Sequence, residues 1–340
     1  MKSRCYALRS LAMLVGLASA IGATAAHALA DETTSAAGKA AEKTLPADGA
    51  PKQTYDLRYK AAIGDIFRYE VSHRASIRTT IDDSTQSVQT KTDSVKAWKI
   101  NDVLPNGDIE FLTMVERVHM VNQLPDREPT DFDSQRDKTP PAGYEEAARS
   151  VGVPLSLVRI SSNGKILRRE VKLKRQNNEE DGPIALLLPE EPIAIGDTWD
   201  EQFDLTVMLK TGGSKLIHTR RHYKLMKVES GIATISIDYQ VLSPIDAHIE
   251  SQIVQRLLDG EARFDIEAGR IVGQRMEFDK RILGFAGATS SMHYVVRMEE
   301  KLVHAPHRIV TKPAEKPIVR TAEASKPPAS TTTAPPSQRR

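Results

Sequence analysis

Ala62-Ile63-Gly64-Asp65 recurs as Ala194-Ile195-Gly196-Asp197, 132 positions later, and the residues after each copy decide the fold. After the first, Phe67, Tyr69, Val71, His73, Ala75 and Ile77 alternate with Arg68, Glu70, Ser72, Arg74, Ser76 and Arg78. Successive side chains of a strand point to opposite faces, so this period of two predicts a long strand with one face buried. After the second, Trp199, Phe203, Leu205, Val207 and Leu209 share a face opposite Asp200, Gln202, Asp204, Thr206 and Lys210.

The correspondence runs on. Trp98-Lys99-Ile100 leads through Leu104-Pro105-Asn106-Gly107 into Ile109-Glu110-Phe111, and Tyr223-Lys224-Leu225 through Glu229-Ser230-Gly231 into Ala233, Ile235, Ile237 and Tyr239. Both read as strand, tight turn, strand, with glycine suited to the positive φ of hairpin turns. A second hairpin follows in each half, at Arg159 to Ile166 and Phe264 to Ile271. The offset there has fallen to 105, so the first half holds 27 extra residues, mostly between Asn122 and Ser150. Helical pieces are expected at Gly143 to Ser150, from propensity, and at His248 to Leu258, from the spacing of Ile249, Ile253, Val254 and Leu257. A last strand is expected over Ser290 to Leu302. The fold class is therefore mainly β (β-rich α+β): two duplicated curved antiparallel sheets, each with a short helical crossover.

Around this body the composition changes. Of 340 residues 40% are hydrophobic and only 5% aromatic, and the net charge of +2 averages three unlike parts. Residues 1–30 carry Lys2, Arg4 and Arg9 and no acid; residues 304–340 carry seven basic residues against Glu315 and Glu323. What remains, 31–303, is −6. The basic start, the apolar run from Leu11 to Ala20 and the ending Ala28-Leu29-Ala30 predict a secretory signal cleaved between Ala30 and Asp31, and a periplasmic or secreted location. Cys5 is the single cysteine, which excludes a disulfide framework and any multi-cysteine metal site. The expected organisation is a signal over 1–30, a disordered leader over 31–53, β repeats over 54–189 and 190–303, and a disordered tail over 304–340. Seven of the 19 prolines fall in that tail. It reads either as a solvated spacer or as an attachment to an anionic cell-wall or membrane surface.

The same residues resemble a family of exported bacterial proteins, domain of unknown function 6263. The resemblance is carried by Ile63-Gly64-Asp65-Ile66-Phe67-Arg68-Tyr69, Asp131-Phe132-Asp133-Ser134, Ile160-Ser161-Ser162-Asn163-Gly164-Lys165-Ile166, Leu187-Leu188-Pro189 with Gly196-Asp197-Thr198-Trp199, and Phe264-Asp265 with Gly269-Arg270-Ile271. It implies export and a β fold over roughly 54–303, and no catalytic residue. The paired curved sheets are also similar, at the level of fold, to periplasmic lipoprotein-carrier half-barrels.

Chemistry is sparse. His218 and His222 share one face of a strand but stand about 13 Å apart by strand rise, too far to share a metal ion. His73 lies in an apolar stripe and reads as a hydrogen-bonded core histidine. His304 and His307 flank Pro306 with no acid nearby. Asp131 and Asp133, and Glu179-Glu180-Asp181, are loop acids of the kind that cap turns. Gly64 and Gly196 read as strand-entry turns and Gly212-Gly213 as a hairpin tip. The basic run Arg168, Arg169, Lys172, Lys174, Arg175 reads as the solvated face of a strand, and with no interleaved aromatics it does not predict nucleic-acid binding. No Gly-x-Ser-x-Gly, His-Glu-x-x-His, Walker or dinucleotide motif is present. No catalytic, cofactor-binding or metal residue is assigned, no cofactor is expected, and no transmembrane helix is expected in the mature chain. The expected function is a non-enzymatic exported binding or carrier module for an apolar ligand or lipid; the alternative is a structural or protein-interaction module held at the envelope by its tail. A cavity of several hundred cubic ångströms would favour the first, a filled core the second.

Overall fold

The computed structural model describes residues 52–174 and 184–304. The expected signal, the leader up to residue 51, the Glu179-Glu180-Asp181 cluster and the tail beyond residue 304 lie outside the described residues. The first half holds β1 (Thr54–Tyr55), β2 (Ile66–Ile81), β3 (Ser84–Val103), β4 (Ile109–Gln123), β5 (Thr130–Asp133), α1 (Glu145–Ser150), β6 (Pro154–Ile160) and β7 (Ile166–Val171). The second holds β8 (Ile193–Ala194), β9 (Thr198–Met208), β10 (Ser214–Glu229), β11 (Ile232–Val241), α2 (Ala247–Ile253) with a 3-10 turn (Val254–Arg256), β12 (Asp259–Asp265), β13 (Arg270–Leu283) and β14 (Ser291–His304). The chain is mainly β, as its alternation implies, and both short helices fall where propensity and spacing place them.

The expectation of two sheets is corrected to one. Strands β7-β6-β4-β3-β2-β14-β13-β12-β11-β10-β9 form a single antiparallel path, with β5 added beside β4 as the twelfth strand. The cause is β14, which pairs on one side with β13 and on the other with β2, from Ser291↔Thr80 to Leu302↔Tyr69. A strand has hydrogen-bonding groups along both edges, and here β14 uses both to join the halves. The expected helical crossovers are corrected too. α1 lies between β4 and β6, and α2 between β11 and β12, and each of these strand pairs is adjacent and antiparallel. The helices therefore cross no strand.

The two Ala-Ile-Gly-Asp segments make matching bonds. Gly64 N donates to Ile100 O (3.1 Å) and Ile100 N to Asp65 O (2.9 Å); Gly196 N donates to Leu225 O (2.8 Å) and Leu225 N to Asp197 O (3.0 Å). Each aspartate accepts from the alanine amide of its own turn at 2.9 Å, Asp65 from Ala62 and Asp197 from Ala194. Both segments are strand-entry turns, as read from the sequence.

Eleven strands laid flat would span about 48 Å. Yet Leu187 O accepts from Trp199 Nε1 at 2.9 Å, and the next residue, Leu188, donates its amide to Asn163 O at 2.8 Å. Trp199 lies on β9, one edge of the sheet, and Asn163 in the turn between β6 and β7, the other edge. One dipeptide bridges both, so the sheet is strongly curled at this end. The concave face carries the apolar stripes, and one core cluster includes Phe67 of β2, Phe111 of β4, Ile160 of β6, Tyr223 of β10 and Phe264 of β12.

Each helix covers its own half. Asp246 Oδ1 caps α2 by accepting from Ile249 N at 2.9 Å. This directs Ile249 and Ile253 against Phe203, Leu205, Val207 and Ile217 of β9 and β10. On the first half, Tyr144 and Ala147 cover Val118, Met120 and Phe132 of β4 and β5.

Candidate functional site

The segment from Leu57 to Lys60 crosses the curled end of the sheet as a strap, tied to matching turns of the two halves. Tyr59 N donates to Ser162 O (2.7 Å) and Lys60 N to Gly269 O (2.9 Å). The Tyr59 hydroxyl donates to Leu186 O (3.1 Å) and accepts from Leu186 N (2.9 Å). Its ring meets Phe264 edge-on, with centroids 5.4 Å apart. β1 extends the anchorage by pairing with β8.

The strap comes so close to the turns that only glycine fits beneath it. A Cβ on Gly164 would lie 2.4 Å from Leu186 O and 2.7 Å from the Tyr59 ring. On Gly269 it would lie 2.6 Å from Lys60 N. Both glycines also have positive φ, 86° and 63°, a region costly for residues with a Cβ.

Beneath the strap lies an aromatic cleft lined by Tyr59, Phe67, Tyr69, Trp98, Phe111 and Arg270, among others. Strand parity brings these together: Phe67 and Tyr69 are alternate residues of β2, and Trp98 sits opposite Phe67 on β3. Trp98 stacks on Phe111 at 4.4 Å between centroids, and Tyr69 tilts against Trp98 at 5.9 Å. The free volume among them is about 10 Å³, room for roughly one water molecule. The cavity of several hundred cubic ångströms that would favour a preformed carrier site is not what this cleft offers.

Two cations flank the cleft. Lys60 directs Nζ to the carbonyls of Ile266 (3.2 Å) and Glu267 (3.3 Å). The Arg270 guanidinium stands over the Phe67 ring, 4.7 Å from its centroid, and its Nε and Nη1 are buried without a hydrogen-bond partner. Burial pushes the Tyr59 and Tyr69 hydroxyls up from their ordinary range; Glu300 adds to this at Tyr69, and Arg270 opposes it.

Further polar groups face inward along the sheet. Arg221, only 2% exposed, donates to Glu201 (2.9 Å) and to the Tyr223 hydroxyl (3.1 Å), with its guanidinium over the Phe203 and Tyr239 rings. Burial works against its charge, but Tyr239, Tyr223 and Glu201 outweigh it and raise the pKa. Nearer the middle, burial raises the Glu300 carboxyl and drives the His73 imidazole down to about 4.

His73 is thus a core histidine, but its Nδ1 has no partner, which corrects the hydrogen-bonded role expected for it. His218 and His222 each have a separate carboxylate, Asp204 at 2.7 Å and Asp200 at 2.6 Å. Among the described residues no group of three or more His, Cys, Asp or Glu is placed to hold a metal ion. Asp131 and Asp133, expected in a loop, lie instead in β5, paired with β4; Asp131 accepts from His119 (2.9 Å), while Asp133 caps the following turn through Gln135 N (2.9 Å). Gly212-Gly213 is the β9–β10 tip, and Arg168, Glu170 and Lys172 form a charged surface ladder. Sequence reasoning passed over Glu201 and met Arg270 only within a turn motif. The available signal was parity: Glu201 falls on the apolar face of β9, between Trp199 and Phe203.

No family model and no curated protein matches this chain. It is similar to a lipovitellin chain from a structure of lipid–protein interactions, at 12% identity and a TM-score of 0.37, over 72% of this chain and 25% of that one. The aligned region thus spans a quarter of the lipovitellin chain. A DUF1329 family protein from Desulfovibrio piger aligns at 10% identity and a TM-score of 0.12, over 72% of this chain and 87% of that one. No helix among the described residues is long and apolar enough to cross a membrane.

Proposed function

We propose that this protein is an exported, non-enzymatic binding module that takes an apolar ligand or lipid at the strapped end of its curled sheet. The observation that carries this reading is the aromatic cleft beneath Leu57 to Lys60. Phe67, Tyr69, Trp98 and Phe111 offer the stacking surface that small-molecule sites use. With the strap seated there is room for about one water, so the ligand takes the space the strap vacates. Lifting it breaks the backbone bonds of Tyr59 and Lys60 and the two bonds of the Tyr59 hydroxyl. Export rests on residues 1–30. The matching bonds of the two Gly-Asp turns and the matching positions of Gly164 and Gly269 support descent of both halves from one duplicated unit.

The test is lipid extraction from protein purified from its native envelope, followed by titration with fluorescent fatty acids. Co-purifying lipid and saturable binding are expected. Lipid-free protein with no fluorescence response would overturn the reading.

The nearly filled cleft favours a second reading, a structural or interaction module held at the envelope by its basic tail. Deleting residues 306–340 and fractionating the cells tests it: the truncated protein leaves the envelope fraction under this reading, and an unchanged distribution removes it.

A further inference from the structure

We propose that Arg270 is an anion-recognition residue of the cleft, and that the ligand is a single-chain amphiphile with a carboxylate head. The inference deepens the apolar-ligand reading and rests on it. Its starting point is an imbalance of charge and hydrogen bonding. Arg270 presents a planar fork of donors, and its buried Nε and Nη1 meet no acceptor. Its neighbours do not supply one. Asp265, opposite Arg270 across the β12–β13 pair, accepts from Ala268 N at 2.8 Å instead. Burial pushes the Glu300 carboxyl up, and the groups that oppose this are Lys96 and Gln274, not Arg270. The ring of Phe67 accommodates the cation by its π face but accepts no in-plane hydrogen bond. Two buried guanidinium nitrogens left without acceptors are costly unless a partner completes them.

The missing partner is an anion. A carboxylate pairs with one edge of a guanidinium, Nε with Nη2 or Nη1 with Nη2, through two parallel bonds. Behind Arg270 the surface is aromatic, with Phe67, Tyr69 and Trp98 in succession. A charged head at the rim with an apolar chain laid over those rings satisfies both. A free inorganic anion would use the guanidinium and leave the aromatic surface unused.

The experiment compares three probes on the full mature chain: a fluorescent long-chain fatty acid, the fluorescent alcohol of the same chain, and inorganic phosphate. The acid is expected to bind about tenfold or more tightly than the alcohol, the scale of a charge-assisted hydrogen bond. In Arg270→Met, which keeps an apolar stem over Phe67, acid and alcohol are expected to bind alike, and a wild-type near-UV circular dichroism spectrum reports that the aromatic cleft is folded. Arg270→Lys, which keeps the charge and loses the fork, gives an intermediate value. Equal affinity of acid and alcohol for the wild type overturns the inference and leaves the apolar-ligand reading standing. So does an Arg270→Met protein that still prefers the acid. Phosphate raising the Tm as much as the fatty acid does overturns the amphiphile and places a free anion at Arg270. If neither chain-bearing probe binds, the apolar-ligand reading itself falls, and this inference with it.

Discussion

Lys96 and Arg221 occupy the same place in the two halves of the sheet. Each faces inward two residues before an aromatic, Trp98 or Tyr223, and that aromatic pairs with Phe67 on β2 or Trp199 on β9. Their partners differ. Lys96 stands opposite Tyr69, Arg221 opposite Glu201. The second half thus places a matched ion pair where the first places a lysine and a phenol, and the difference is testable. Arg221→Met leaves Glu201 without its cation, and because the Glu201 side chain is 26% exposed the expected loss lies below the about 3–5 kcal/mol of a fully buried pair. The double variant Glu201→Gln with Arg221→Met removes both charges and is expected to recover most of it. Urea unfolding of the three proteins measures this. An Arg221→Met protein within about 1 kcal/mol of wild type would mean that the pair adds little to the fold.

The strap makes a second prediction through its two glycines. Gly212, at the open β9–β10 tip, has φ 86° and nothing within 4 Å of a built Cβ. Gly212→Ala therefore carries backbone strain alone, about 1–2 kcal/mol. Gly164→Ala has a similar φ but sets its methyl 2.4 Å from Leu186 O, and Gly269→Ala meets Lys60. Both are expected to cost about 1–3 kcal/mol more, from overpacking, and to speed hydrogen exchange at the Tyr59 and Lys60 amides. Urea midpoints equal to that of Gly212→Ala would show that the strap is not held against these turns.

Much of this fold was legible because alternation and turn glycines are local signals. β2, β9, both hairpins of each half and α2 follow from spacing within about a dozen residues. The joining of the halves was not. Nothing within Ser291–His304 distinguishes a strand that ends a sheet from one that joins two, because that depends on β2, over 200 positions away in the chain. The site was hidden for a related reason. Arg270 reads as the residue after a turn glycine, and only the strand order, which sets β13 next but one to β2, brings it over Phe67. The strap residues Leu57 to Lys60 do alternate, with Leu57 and Tyr59 buried and Arg58 and Lys60 not, but over too few positions to tell a strap across the sheet end from a short strand.

His73 gives the pH dependence. It is 7% exposed on β2, opposite Thr92 on one side and Met298 on the other. Burial lowers its pKa from 6.5 to about 4, with Lys96 and Arg74 acting in the same direction. Between those pH values the unfolded chain binds the proton and the folded chain does not, so acid favours unfolding. The contribution is fully present above about pH 6.5 and is lost as the pH falls toward 4, an effect of about 3 kcal/mol. Glu300 acts in the opposite sense: burial raises its carboxyl, so the stability it brings is present at low pH and lost as the pH rises through the raised value. The wild-type profile is the sum of the two, and His73→Phe removes only the first. Phenylalanine suits the apolar stripe, has nothing to ionise, and relieves the unpartnered Nδ1. Urea unfolding from pH 7.5 down to about pH 4 should therefore show a stability advantage of His73→Phe that widens as the pH drops. A constant difference across that range would mean that the imidazole titrates alike in the folded and unfolded chains.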